Sequence, residues 1–294
     1  MTNAPRVSVP AFFGDYQAQV ARALDELLPP PAREPKAVHE SMRYTALAES
    51  KRVRAVLALL AAEVCGRSDR AMPVATAVEL VHASSLILDD LPSMDDAPLR
   101  RGRPTNHLVY GEAVAILAAF GLLSLAYDAI AAAYNGELAR TIARRLADAI
   151  GSDGLIAGQA EDLLATEQQI SFDTLERIHR RKTGALFGAA GVAGALTAGG
   201  SPEQIAAIAA YAKNLGLAFQ IVDDLLDVEG DPAETGKAHR QDLKKTTFVS
   251  FSGAAGARQL AAELCATADA ALAGFGRRAE RLRELSAFIA GRRL

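Results

Sequence analysis

Two acidic interruptions in apolar, helix-forming sequence constrain this chain more than anything else in it. The run HASSLILDDLPSMDDAPLRRGRPTNH, His82–His107, leads an apolar stretch directly into Asp89, Asp90, Asp95 and Asp96, then into Arg100, Arg101 and Arg103. Four carboxylates at the end of one apolar helix repel one another, so something cationic must offset them. A second cluster, QIVDDLLD at Gln220–Asp227, breaks Ala/Leu/Ile sequence where a core stripe belongs. Asp223 and Asp227 are four apart and share a helix face, and His82 and Asp89, seven apart, share a side two turns separated. Pro92 disturbs the first helix, so Asp95 need not point away from Asp89.

A hard divalent cation with oxygen ligands suits these acids, and Mg²⁺ commonly bridges carboxylates to substrate phosphates. Arginines suit the same phosphates through bidentate contacts. An acid-rich turn taken alone reads equally well as a solvated helix end. The second cluster and the matching cations favour a joint metal–phosphate site. His82 alone could be a satisfied helix histidine. No close His/Cys set for zinc is present, no GxxxxGK[ST] loop, and no elbow serine. The chemistry therefore needs no protein nucleophile. Loss of diphosphate assisted by metal would leave a carbocation for an alkene to attack.

Half of the 294 residues are hydrophobic but only 5% are aromatic. Alanine and leucine supply most of the apolar material, which favours helices over sheets. The pattern predicts helices over 12–28 and 38–47, then from Lys51 to Cys65–Gly66 with Lys51 and Arg54 on one face. Others run from Pro73 to the first acids, 108–134, 137–150, 154–166, and from Ser171 toward Thr183. The last cover 202–228, 254–274 and 277–289. The segments 98–104 and 230–245 read as loops, and residues 1–10 as disordered. No stretch alternates as a strand and no linker divides the chain. The expectation is one all-α domain over 1–294, a helical bundle around a central polar cavity. A formal charge of -3 gives no general attraction to nucleic acid or to an anionic membrane. The longest uncharged apolar run, Ala113–Ala126, is 14 residues, short of the ~20 a membrane span requires. Cys65 and Cys265 read as buried thiols of a reducing compartment. The N-terminus resembles neither a signal peptide nor a targeting segment, so a cytoplasmic location is expected.

These motifs make the chain resemble the trans-polyprenyl diphosphate synthases, from about Met42 to the last helix. Asp89, Asp90 and Asp95 resemble that family's DDxxxxD form, and Asp223, Asp224 and Asp227 its DDxxD. LRRGRPTNH, YGEAVAILA, GQAEDL, RKTGALF and AFQIVDDLLD fit as well. Within the family, HASSLILDD and RRGRPTNHLVYGEAVAILAA look most like bacterial geranylgeranyl diphosphate synthases of the carotenoid type. The resemblance implies the isoprenoid-synthase bundle, a homodimer, and condensation of isopentenyl diphosphate with allylic diphosphates. It implies three Mg²⁺ ions held by Asp89, Asp95 and Asp223, with Asp90, Asp224 and Asp227 as direct or water-mediated supports. Arg100, Lys182 and Lys237 would hold the allylic diphosphate, with Lys245 near it. Thr183 and Gln220 would line the reacting carbons. Lys51, Arg54, His82 and Arg101 would hold the diphosphate of isopentenyl diphosphate, and the released diphosphate would take the proton.

The chain departs from the family pattern GGKRLRP, with Glu49-Ser50-Lys51-Arg52-Val53-Arg54-Ala55 in its place, and it has Ala119-Phe120 where many relatives have Gly-Asp. Its 237–245 loop is shorter than in many relatives. A bulky aromatic five positions before the first aspartate stops growth at C15 in the family, and here that position is Ser84, beside Ser85. The expected product is therefore the C20 geranylgeranyl diphosphate, with a channel floor near Val81 or Val78, or formed by Phe120. The alternatives are a C15 or C25 product, a terpene synthase, or a silent partner subunit. Lys51, Arg54 and Arg101 argue against the terpene synthase, and the presence of both aspartate motifs argues against the silent subunit.

Overall fold

Prolines and polar caps set the ends of the helices. The computed structural model describes residues 9–229 and 246–291, so Lys237, Lys245 and most of the 1–10 segment lie outside the described residues. α1 (Ala11–Leu27) turns Phe13, Val20 and Leu24 inward and ends ahead of Pro29–Pro31. α2 (Lys36–Ala46) follows, and α3 (Val53–Cys65) is apolar nearly all round and buried accordingly. α4 (Met72–Asp89) carries Pro73 in its first turn, where no intrahelical N–H bond is lost. The expected loop at 98–104 contains a short antiparallel ribbon, β1 (Leu99–Arg100) against β2 (Arg103–Pro104). The single helix expected from Leu108 is divided at Gly111, φ 81°, into α5 (Asn106–Tyr110) and α6 (Glu112–Ala133).

α7 (Gly136–Ile150) and α8 (Leu155–Ala165) come next. α9 (Phe172–His179) starts at Ser171, whose Oγ accepts the Thr174 N–H at 3.2 Å. It runs into a π-helical turn, Arg180–Gly184, and then α10 (Ala185–Thr197). α11 (Pro202–Glu229) is capped by Ser201 and carries the second acidic cluster. α12 (Phe248–Ala271) opens with a reciprocal Thr247/Ser250 cap, so it begins before the expected Ala254 and kinks at Gly253. A 3₁₀ segment (Ala273–Ala279) leads to α13 (Glu280–Ala290).

The architecture is a single-domain, all-α bundle. α4 lies along α6, α3 along α10, and α11 along α12. Gly194 is in direct contact with the backbone of α3, where a Cβ would overlap the Ala58 carbonyl. A smaller apolar cluster of Leu175, Leu217, Ile221, Val222 and Phe248 supports the second acidic motif from below. α4, α6 and α11 are each long and apolar enough to cross a membrane by length and composition, although the uncharged run in α6 is shorter than the helix. α4 and α11, however, bury half or more of their most apolar stretch inside the bundle and end in acidic clusters. Cys65 is half-buried and Cys265 buried, and both thiols are free.

Candidate active site

The last turn of α4 presents Asp89 and Asp90 in opposite ways. Asp90 is buried and receives Arg100, with Nε at 2.8 Å from both carboxylate oxygens and Nη2 at 2.6 Å. Burial pushes the Asp90 carboxyl up against the pull of Arg100, and Asp89 and Asp95 add to the rise. Burial also opposes the charge on Arg100, but the bond to Asp90 holds its pKa above the usual value. Asp89 is half-buried and accepts Gln159 Nε2 at 2.6 Å, with Lys182 Nζ at 3.6 Å and Arg100 Nη2 at 3.8 Å. The chain turns back after Pro92, and the Asp95 N–H bonds the Asp89 carbonyl at 2.9 Å. Asp95 thus returns to the end of α4, as the proline suggests.

Lys182 comes from the π-turn. Its Nζ lies 2.8 Å from Asp162 Oδ2 on α8. Gly158 lets α8 touch the backbone there, since a Cβ would overlap Lys182 N. Gln159, Glu161 and Asp162 therefore all serve this corner, Glu161 by accepting Arg181 at 2.6 Å. Sequence reasoning placed them on a helix without a role. Their signal was a polar run on an otherwise apolar helix.

The next residue in the π-turn faces the second cluster. Thr183 Oγ1 donates to Gln220 Oε1 at 2.8 Å, and Gln220 Nε2 donates to Asp224 Oδ1 at 2.9 Å. Asp224 is buried, and its other oxygen accepts the Phe248 N–H at 3.1 Å. Asp223 and Asp227 are half-buried on the same helix. The π-turn thus joins both acidic motifs through two adjacent residues, a re-aiming that π-turns are suited to give.

A cationic pocket lies on the α3 side. Arg54 is 3.4 Å from His82 Nε2, with its guanidinium 4.7 Å from the Phe187 ring centroid and 5.8 Å from that of Phe219. Burial lowers the Arg54 pKa to about 10, partly offset by Glu79 and Asp223. At the rim, partial desolvation and the charge of Arg52 lower Arg101 to about 10. Burial, then Arg54, Arg101, Arg100 and Arg52, hold His82 well below 6.5, so it is neutral at neutral pH. Lys51 is exposed and precedes α3, which starts at Val53. The expected shared helix face of Lys51 and Arg54 is not formed, because Arg52 takes a left-handed φ of 48°.

The arginine ribbon is fastened to α2 by buried groups that sequence reasoning did not single out. Asn106 Nδ2 donates to the Ser41 carbonyl at 2.9 Å and to Thr45 Oγ1 at 2.8 Å, while Ser41 Oγ donates to Asn106 Oδ1 at 2.7 Å. Thr105 Oγ1 donates to the Ala97 carbonyl at 2.7 Å. Arg103 points outward, over the Tyr44 ring at 4.2 Å.

The match to known proteins now has a geometry to attach to. Residues 35–264 match the family model of the polyprenyl synthetases. The chain belongs to the trans-polyprenyl diphosphate synthase family. It is 44% identical over 281 residues to the chloroplastic geranylgeranyl pyrophosphate synthase of Capsicum annuum, covering 93% of this chain and 76% of that protein. An FPP/GFPP synthase from Zymomonas mobilis superposes with a TM-score of 0.85 at 33% identity, covering 95% of this chain and 97% of that one. The geranyltransferase of Helicobacter pylori, complexed with magnesium and isoprenyl diphosphate, superposes with a TM-score of 0.83 at 25% identity, covering 99% of this chain and 97% of that one. This trans-polyprenyl diphosphate synthase is a prenyltransferase, and head-to-tail condensation is the reaction of its family. The expected cytoplasmic location is contradicted by the same comparisons: the Capsicum protein and several similar Arabidopsis thaliana proteins are chloroplastic.

Among the described residues of the synthase, no three His, Cys, Asp or Glu side chains converge closely enough to hold a metal ion. The donor chemistry still fits Mg²⁺. Asp89 is a hard oxygen donor beside the Lys182 and Arg100 cations. Asp90 and Asp224 instead spend their oxygens on protein partners. Among the tail-length candidates, Ser85 is half-buried on the face of His82 and Asp89. Ser84 is buried and donates to the Ala119 carbonyl of α6 at 2.8 Å, so it lies in the α4–α6 seam. Val81 and Val78 are buried. Phe120 is 64% exposed, which corrects its expected place in the channel wall of this chain: α6 turns Ala115, Ala118, Ala119 and Leu122 inward instead.

Proposed function

We propose that this synthase condenses isopentenyl diphosphate with allylic diphosphates and releases mainly the C20 geranylgeranyl diphosphate. The observation that carries the reading is the π-turn pair, Lys182 reaching Asp89 and Thr183 reaching Gln220 beside Asp224. It supports one cavity served by both acidic motifs. Asp89, Asp95 and Asp223 would hold Mg²⁺, three ions by family analogy, supported by Asp90, Asp224 and Asp227. The bound ions supply charge stabilisation for the departing diphosphate. Arg100 and Lys182 orient the allylic diphosphate, with Lys237 and Lys245 assigned to it by sequence alone. The C1–O bond breaks, and the electron pair leaves on diphosphate. The Thr183 and Gln220 oxygens present their dipoles to the allylic cation. Lys51, Arg54, His82 and Arg101 hold isopentenyl diphosphate so that its alkene forms the new C–C bond. Loss of a proton to the released diphosphate restores an alkene.

The C20 product is supported by the small Ser85 on the His82 and Asp89 face of α4. Farther along that helix, Val74, Val78, Ile130, Ile142 and Leu146 line an apolar hollow no larger than a water molecule. Val78 lies eleven residues before Asp89, about 16 Å along the helix axis, and would be the floor. The C15/C25 reading is favoured by the Zymomonas FPP/GFPP synthase and by a Marinomonas protein assigned as a farnesyl-diphosphate synthase. A homodimer is supported by the exposed apolar Leu108, Val109, Leu117 and Phe120 around the start of α6. Incubation with Mg²⁺, isopentenyl diphosphate and each allylic diphosphate in turn, followed by product sizing, tests the function. A dominant C20 product is expected, and a dominant C15 product contradicts the length assignment. Light scattering at micromolar concentration tests the dimer, and a monomer contradicts it.

A further inference from the structure

Directly behind the cationic pocket sits a buried ion pair that the reaction itself does not use. Arg52 and Glu79 are 7% and 3% exposed. Glu79 Oε2 lies 3.3 Å from Arg52 Nη1, and Glu79 Oε1 accepts the Ala55 N–H at 3.2 Å in the first turn of α3. Arg52 Nη2 donates to the carbonyls of Ala46 at 2.7 Å and Ala48 at 3.0 Å, at the end of α2. One residue pair therefore joins the end of α2, the start of α3 and the middle of α4. A buried ion pair is a poor source of net stability, because well-packed apolar residues commonly do as well. Its effect on geometry is direct. Arg52 sits at φ 48°, where an L side chain is disfavoured, and the surrounding bonds hold it there. Lys51 immediately precedes that left-handed turn, and Arg54 follows two residues after it. In this segment Glu49-Ser50 replaces the family's paired glycines, so the path of the chain depends on what grips it.

We propose that the Arg52–Glu79 pair is a positioning device for the anion pocket, fixing Arg54 against His82 and the backbone that carries Lys51 so that the diphosphate of isopentenyl diphosphate is received there. This rests on the function proposed above. The pair touches no substrate. It acts through the backbone that carries the two cations.

Two full-length variants test it, Glu79→Gln and Arg52→Lys. Glu79→Gln keeps the shape but removes the charge that orients Arg52. Arg52→Lys keeps the charge but loses the planar fork that reaches several acceptors. Glu79→Gln should raise the KM for isopentenyl diphosphate about tenfold, with the allylic KM and kcat within about twofold. Arg52→Lys should give a smaller rise of the same KM. Helicity and Tm should stay close to wild type. An unchanged KM for isopentenyl diphosphate, an equal rise in both KM values, or loss of fold in both variants overturns the proposal and leaves the pair a purely structural role. Inorganic diphosphate without Mg²⁺ is the second probe. It should raise the Tm of the wild type and not that of Glu79→Gln, and equal rises overturn the proposal. This arm reads the pocket even if the wild type forms no prenyl product, a result that would overturn the functional reading instead.

Discussion

The acidic mouth of the cavity and the cationic pocket beside it hold charge in opposite ways. At the mouth, Asp89 and Asp90 are already matched by Gln159, Lys182 and Arg100. In the pocket, Arg54 and Arg101 lie beside a histidine that burial and the surrounding arginine charges keep neutral. Arg54 and Arg101 are both lowered to about 10. The mouth must open existing ion pairs to admit an anion, and Mg²⁺ held by its carboxylates would offset that loss. The pocket gains from an anion directly, because binding relieves repulsion among its own cations. On the proposed function, one chain would thus offer two diphosphate sites with different needs.

The largest effect should come from removing the mouth. Asp89→Ala and Asp223→Ala should each lower turnover about a thousandfold while far-UV circular dichroism stays helical, and stripping Mg²⁺ with a chelator should act alike. Near-normal product formation by either purified variant would remove the metal assignment.

A smaller effect is expected along the tail. Ser85→Phe should shift product from C20 toward C15, because the new ring projects on the Asp89 face of α4. Ser84→Tyr should chiefly lower Tm, because its side chain must part α4 from α6 where Ser84 now bonds Ala119. Product sizing and thermal melts separate the two. A shortened product from Ser84→Tyr without a stability loss would exchange the roles of the serines.

The smallest effect sharpens the pocket. The unfolded chain protonates His82 near 6.5, whereas the folded one resists protonation at that pH. Folded stability is therefore unpenalised above about 6.5 and falls as pH drops below it. The ligand-free wild type should lose Tm between about pH 7 and 5.5 more steeply than His82→Gln. Parallel profiles would place His82 outside the cationic field.

Much of this site could be read from sequence because acids in apolar helices are conspicuous. Asp89, Asp223, Lys182 and Arg54 stand out by type and spacing, and proline and serine marked most helix starts. What could not be read is rotation and re-aiming. Ser84 and Ser85 are neighbours of the same type, and only the packing of α6 decides which one faces the tail. Phe120 reads as core by hydropathy, yet the small face of α6 turns inward and leaves it outside. The left-handed Arg52 and the π-turn at Arg180–Gly184 carry no local propensity signal, since both are held by tertiary bonds. Glu79 lies in an apolar helix like Asp89 and Asp223, and nothing in its spacing distinguishes a buried pair from a ligand.

The most direct test of two sites with two substrates is the pair of KM values in Arg54→Ala and Lys182→Ala. Arg54→Ala should raise the KM for isopentenyl diphosphate about tenfold and leave the allylic KM within about twofold, and Lys182→Ala should do the reverse with a lower kcat. Both variants shifting the same KM, or shifting both equally, would contradict the division of the cavity into an acidic mouth and a cationic pocket.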